Sequence, residues 1–161
     1  MATTMPAAGS RAPAFAALDQ HGQQISLDGL SGKWVVLYFY PKDNTPGCTK
    51  EACSFRDANA ELARVGAVVV GVSGDSAASH SKFAGAFNLP FSLLVDSGHE
   101  IARAYGAWGL KKNYGREYEG IIRSTFLIAP DGTVVRVWPS VKPADHGEEV
   151  LAWLNKNGSN S

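Results

Sequence analysis

Residues 34–40, WVVLYFY, constrain this chain more than any other segment. The run is β-branched and aromatic, carries no charge and stops at Pro41. An uninterrupted apolar run of that length reads as a strand buried on both faces, at the centre of a sheet covered by helices. A second such run, AVVVGVS at 67–73, follows after a stretch in which Phe55, Ala58 and Leu62 fall at helical spacing. Strand, crossover helix and strand is the unit that builds a parallel pair.

The rest of the chain extends that unit. Short strands are expected at 15–18 and 24–27 around the turn His21-Gly22. A helix is expected over 76–88, with Phe83 and Phe87 on one face and Pro90 behind its end. A strand at 91–95 and a short helix at 98–105 come next. Strands at 123–129 and 133–138 flank the turn Pro130-Asp131-Gly132 as an antiparallel hairpin. A last helix over 144–156 turns Val150, Leu151 and Leu154 inward. Residues 1–13 read as a polar, flexible tail, and 106–122 as a long loop. This order predicts an α/β fold of thioredoxin-like architecture, a mixed sheet flanked by helices, in one domain spanning 1–161.

Charge narrows the choice of partner. Lys plus Arg equals Asp plus Glu at 15 each, with no block of like charge. That balance argues against nucleic acid or an anionic membrane and favours a small molecule or another protein. The longest apolar runs are strand-sized, too short to span a bilayer. The first twelve residues show neither the charged nor the apolar region of a secretory signal, which points to the cytoplasm. Thiols stay reduced there, so two cysteines five apart are expected to be redox-active or metal-binding rather than a structural staple.

The chemistry is concentrated in YFYPKDNTPGCTKEAC, residues 38–53. A buried strand ends at a proline, a tight polar loop follows, and Cys48 falls in the first turn of a helix. Unpaired N–H groups and the positive end of the helix dipole meet there. Both favour a thiolate, the reactive form of cysteine. Thr45, three residues back, is within reach of that sulfur or of an oxygen bound to it. Arg123 opens an otherwise uncharged strand, RSTFLI. It either meets an anion, which would offset the cost of its partial burial, or reaches solvent at the strand end.

Pro41, Thr45 and Cys48 match the peroxiredoxin pattern of a proline, a threonine four residues on and a cysteine three further. The longer PKDNTPGCTKEAC, with KKNYGREYEGIIRSTFLI and PDGTVV downstream, resembles the PrxQ subfamily, also called bacterioferritin comigratory protein. The resemblance runs from about residue 13 to 154. It implies a cofactor-free peroxidase acting on hydrogen peroxide and organic hydroperoxides, monomeric and re-reduced by thioredoxin or a glutaredoxin. Cys48 would be the peroxidatic cysteine and Cys53 its resolving partner, joined to it as an intramolecular disulfide. Thr45 would bind peroxide and thiolate, Pro41 would shield them, and Arg123 would orient both. Some members carry the resolving cysteine one helix further on, where this chain has Ala84.

Thiolate formation alone does not make a fast peroxidase. For any thiol, a fall in pKa from ~8.5 to ~6 raises the thiolate fraction at pH 7 about 30-fold. With a Brønsted coefficient of ~0.45, intrinsic nucleophilicity falls roughly 13-fold over the same change, leaving a net gain of about twofold. The larger contribution must come from donors placed where charge develops as the O–O bond breaks.

Three other readings compete, one of them a redox-controlled binding protein or chaperone with incidental peroxidase activity. A thioredoxin-type disulfide exchanger needs Cys-x-x-Cys, and this chain has four residues between its cysteines. A structural zinc module would take Cys48, Cys53 and two histidines, but His21, His80, His99 and His146 show no ligand spacing and read as surface or capping residues. Trp108 and Tyr114 either border the site or pack beneath the long loop. Residues 49–52 carry no large apolar side chain, so the first turns of the helix are expected to open at little apolar cost.

Overall fold

The computed structural model describes residues 5–113 and 115–157. Its centre is a five-stranded sheet in the order β5-β4-β3-β8-β9. These strands are β3 (Trp34–Phe39), β4 (Ala67–Ser73), β5 (Ser92–Val95), β8 (Ser124–Ile128) and β9 (Val134–Trp138). β3, β4 and β5 run parallel, while β8 is antiparallel to β3 and β9 to β8. The apolar run at 34–40 thus takes the middle position its composition predicts, with every residue buried. The fold is α/β with a mixed sheet, as the sequence implies.

Period-two alternation along β3 divides the core between the two faces. Trp34, Val36, Tyr38 and Tyr40 pack with helices α1 (Pro46–Arg64), α2 (Ala77–Phe87) and α4 (His146–Asn157). Val35, Leu37 and Phe39 face the other way, toward Ile101, Ala102 and Tyr105 at the short helix α3 (Glu100–Ala104). α1 lies on the first face through Phe55, whose ring stacks on Tyr38 with centroids 4.7 Å apart. Phe55 is fully buried, so its truncation to Ala is expected to cost roughly 3–5 kcal/mol. Gly71 makes room for the stack, since a Cβ there would lie 2.9 Å from the Tyr38 ring.

α2 begins at Ser76, whose hydroxyl accepts from the Ser79 N–H at 3.1 Å. It ends at Asn88 in the left-handed conformation, φ 53°. The Asn-Leu-Pro punctuation therefore stops the helix as the sequence predicts. Two short strands, β1 (Ala16–Leu18) and β2 (Gln24–Ser26), form a hairpin ahead of the sheet. Just past β1, the Gln20 amide donates to the Phe91 carbonyl and accepts from the Leu93 N–H on the outer edge of β5.

The structure departs from the sequence reading in two places. Residues 9–12 were expected in a flexible tail, yet Gly9 and Ala12 donate to the Val134 and Gly132 carbonyls, and Ala12 is buried. The expected loop at 106–122 instead contains an antiparallel ribbon, β6 (Trp108–Asn113) paired with β7 (Arg116–Ile121). Residues 115–119 are all exposed, so this ribbon buries too little apolar surface to show the alternation by which a half-buried strand is recognised.

Candidate active site

Cys48 is the third residue of α1 and is 1 % exposed. Thr45 caps the helix in an extended conformation, Pro46 takes the first helical position, and Thr49 makes the first helical bond, to the Thr45 carbonyl at 2.8 Å. The N–H groups of Gly47 and Cys48 therefore lie in the turn whose donors have no helical partner. The Thr45 hydroxyl donates to the Lys42 carbonyl at 3.1 Å, leaving its oxygen lone pairs available. Pro41 sits half-buried just past β3.

Arg123, immediately before β8, reaches across to the same turn. Its Nη2 donates to Cys48 Sγ at 3.2 Å and its Nη1 to Glu51 Oε1 at 2.7 Å. Of the two sequence readings, the one in which this arginine meets an anion holds. Burial works against the guanidinium charge, but Glu51 and Cys48 outweigh it and hold Arg123 above its ordinary range. Gly47 permits the approach, since a Cβ there would lie 3.2 Å from Nη2.

Glu51 is the site residue that sequence reasoning missed. It is fully buried, and burial pushes its carboxyl up to about 7, with Arg123 pulling the other way. Its position was legible: it lies three residues after Cys48 and four before Phe55, on the inward face of α1. The expectation that residues 49–52 open cheaply is corrected by this contact, because unwinding them breaks the Arg123–Glu51 ion pair and exposes buried Ala52. Glu51 Oε2 and the Tyr38 hydroxyl, with His99 Nδ1 and Trp138 Nε1 elsewhere, are buried without a hydrogen-bond partner among the described residues.

Cys53 lies one and a half turns further along α1, half-buried, and both cysteines are free. Ser54, its neighbour, accepts at its Oγ from the Gly147 N–H of α4 at 2.7 Å. Gly147 presses on α1 so closely that a Cβ there would lie 2.8 Å from the Phe55 nitrogen. Lys111 of β6 donates to the Ile121 carbonyl at 2.8 Å. Burial and Arg123 lower its basicity, while Cys48 counteracts them.

The histidines are not all surface or capping residues. His80 and His146 are fully buried, each with both ring nitrogens bonded: His80 to Asp43 and Leu94, His146 to Glu149 and Thr125. His99 stacks on Trp108 with centroids 4.1 Å apart, and Trp108 Nε1 donates to Glu119. Trp108 thus packs beneath the ribbon; Tyr114 lies outside the described residues. No group of three or more His, Cys, Asp or Glu among the described residues is arranged to hold a metal ion. Nor is any helix among them long and apolar enough to cross a membrane.

Known proteins resemble this chain in sequence and fold. Residues 8–137 match the AhpC/TSA family. Peroxiredoxin Bcp of Bacillus subtilis is 51% identical over 146 residues, covering 91% of this chain and 93% of the relative. Peroxiredoxin Bcp of Escherichia coli K12 is 42% identical over 150 residues, covering 93% and 96%. Among solved structures, Xanthomonas campestris peroxiredoxin Q superposes with a TM-score of 0.84 at 40% identity, covering 89% of this chain and 90% of that one. The Xanthomonas campestris bacterioferritin comigratory protein, solved in a study of alkyl peroxide reduction, matches at the same TM-score and identity. This chain belongs to the AhpC/TSA family and, within it, to the Bcp/PrxQ peroxiredoxins.

Proposed function

We propose that the protein reduces hydrogen peroxide and alkyl hydroperoxides, with Cys48 as nucleophile and Cys53 as resolving thiol. The observation that carries this reading is the Arg123 guanidinium 3.2 Å from a Cys48 sulfur held in the first turn of α1. The Cys48 thiolate attacks the distal peroxide oxygen, the O–O bond breaks, and the departing hydroxide or alkoxide takes up a proton as water or alcohol. Cys48 is left as a sulfenic acid. Negative charge moves from sulfur to the departing oxygen during this step. The Arg123 guanidinium and the N–H groups of Gly47 and Cys48 are fixed beside that path and stabilise the charge without reorganising, while the Thr45 oxygen, its proton held by the Lys42 carbonyl, accepts from the peroxide O–H. Pro41 closes the strand side of the turn against water.

Resolution requires α1 to open. Residues five apart in an ideal helix have Cα atoms about 8.6 Å apart, whereas a disulfide spans roughly 4.4–6.8 Å. Both cysteines lie within α1 as it stands. Unwinding therefore precedes attack of the Cys53 sulfur on the Cys48 sulfenic acid, which forms the disulfide and expels water. A dithiol protein of the thioredoxin or glutaredoxin type then supplies the two electrons that restore both thiols. Because both cysteines belong to one chain, the cycle runs in a monomer, and its need for a thiol reductant suits the cytoplasm.

Stopped-flow oxidation of the reduced protein tests the roles. Cys48→Ser is expected to abolish peroxide consumption. Cys53→Ser is expected to consume about one equivalent and stall as a sulfenic or over-oxidised acid. If Cys48→Ser keeps the first oxidation and Cys53→Ser loses it, the assignment is reversed. Turnover with thioredoxin and with a glutaredoxin, at equal concentration, identifies the reductant. Insulin reduction without peroxide consumption would favour the disulfide-exchange reading instead.

A further inference from the structure

Six residues join β3 to α1, and the conformation of this loop decides where Thr45 and the helix N–H groups stand. Asp43, in its middle, is buried, 7 % exposed. Its Oδ1 accepts from the Tyr40 hydroxyl at 2.6 Å, and its Oδ2 accepts from the Ser79 hydroxyl at 2.8 Å. His80 Nδ1 lies 2.6 Å from the same Oδ2, and its Nε2 lies 2.8 Å from the Leu94 carbonyl oxygen of β5. The Asp43 N–H donates to Asp75 Oδ2 at 2.7 Å. Burial alone would raise the Asp43 carboxyl, but the hydrogen bonds from His80 and Tyr40 overturn that and keep it below the ordinary carboxylate range.

A carboxylate has no proton to give, and neither has a carbonyl. With an acceptor at each ring nitrogen, both His80 nitrogens donate. His80 therefore bridges β5 to the loop as a doubly donating, fully buried ring, joining three elements through one carboxylate. Nothing in the reaction above uses it, and an apolar side chain of similar volume would have filled its place at lower desolvation cost. What the polar bridge supplies is direction. It fixes Asp43, and hence the left-handed Asn44 (φ 60°) and the cap residue Thr45 that follow it.

We propose that His80 is a positioning residue for peroxide reduction: through Asp43 it holds the 42–45 loop so that Thr45 and the Gly47 and Cys48 N–H groups meet the peroxide oxygens. This rests on the peroxidase reading. A displacement of about 1 Å in such a group is enough to lower a rate ~10²-fold. A merely structural bridge would, when weakened, lower the melting temperature and leave the chemistry of the folded molecules unchanged.

The test compares two reactions of the same sulfur in a Cys53→Ser background: oxidation by hydrogen peroxide, which needs the oriented donors, and alkylation by iodoacetamide, which does not. His80→Gln and Asp43→Asn are each expected to slow oxidation at least tenfold with alkylation within about twofold. The double variant should be no slower than the slower single, because both changes cut the same link. Ser79→Ala, which deletes one donor at a half-buried position and keeps the fold, is expected to slow oxidation about threefold; it carries the test should the buried variants fail to fold. Oxidation unchanged in Ser79→Ala and in every folded variant, or oxidation and alkylation falling together, overturns the proposal. A parent protein whose Cys48 peroxide does not oxidise at all would instead overturn the peroxidase reading itself.

Discussion

Raising the pH from 5 to 7 is expected to loosen the first two turns of α1, with Glu51 as the titrating group. In the closed helix its carboxyl is fully buried and titrates near 7; exposed by unwinding, it returns to its ordinary value of 4.5. A carboxyl raised in the closed state favours closure fully below 4.5, and that preference is lost as the pH rises through 7. The opening equilibrium scales as (1 + 10^(pH − 4.5))/(1 + 10^(pH − 7)), with both constants taken from Glu51. From pH 5 to 7 this ratio rises about 40-fold, or ~2 kcal/mol, and from pH 7 to 8 only about another twofold. Hydrogen exchange measures the opening directly. Protection factors for the amides of residues 49–53, corrected for intrinsic exchange, should fall about 40-fold over that range in a Cys48→Ser protein, where no thiol titrates at that position. The same measurement on Cys48→Ser/Glu51→Gln should be flat. Protection independent of pH while Glu51 is present, or an equal fall in its absence, refutes the reasoning.

Other consequences follow from the same contacts. Arg123→Ala should slow Cys48 oxidation by about 10²-fold, ~2.7 kcal/mol of transition-state stabilisation, in stopped-flow measurements. It should also destabilise the fold, because Glu51 loses its partner; the loss of melting temperature should be greater at pH 8 than at pH 5, where the carboxyl is neutral. Gly147→Ala forces a Cβ against the α1 backbone and is expected to cost about 1–3 kcal/mol in chemical denaturation. Exchange of residues 49–53 should be fast in the disulfide form and slow in the reduced form, whereas residues after Phe55, anchored on Tyr38, stay protected in both.

The apolar runs at 34–40 and 67–73 were legible because a strand buried on both faces has only one way to read. Cys48 and Arg123 were legible for a related reason: each is a polar or reactive group where the surrounding pattern leaves it no cheap structural role. Helical spacing places Glu51 on the inward face of α1, but its burial was not legible, because a single glutamate in a helix is ordinarily solvated and its partner is an arginine 72 residues away. His80 and Asp43 were hidden likewise, since their bridge joins α2 to a loop 37 residues earlier in the chain. The β6–β7 ribbon escaped because only its base, Trp108 and Ile121, meets the core, while residues 115–119 are exposed and leave no alternation to read.

The Gln20 amide at β5 reaches beyond local packing. A sheet that is not closed on itself ends in two rows of unpaired backbone groups, each able to template a strand from another molecule. Here one glutamine side chain acts as a two-bond fragment of a sixth strand, occupying the carbonyl of Phe91 and the N–H of Leu93. At the other border, Gly9 and Ser10 pair with Val134 at the start of β9. Both margins of the sheet are thus partly occupied by the chain's own first twenty residues. In the proposed cycle α1 unwinds beside the core at every turnover. While α1 is open, the strands beneath it are at their most exposed, and part of each sheet border is already occupied. Where the N-terminal segment holds these positions, the sheet edge offers no free backbone groups to a neighbouring molecule.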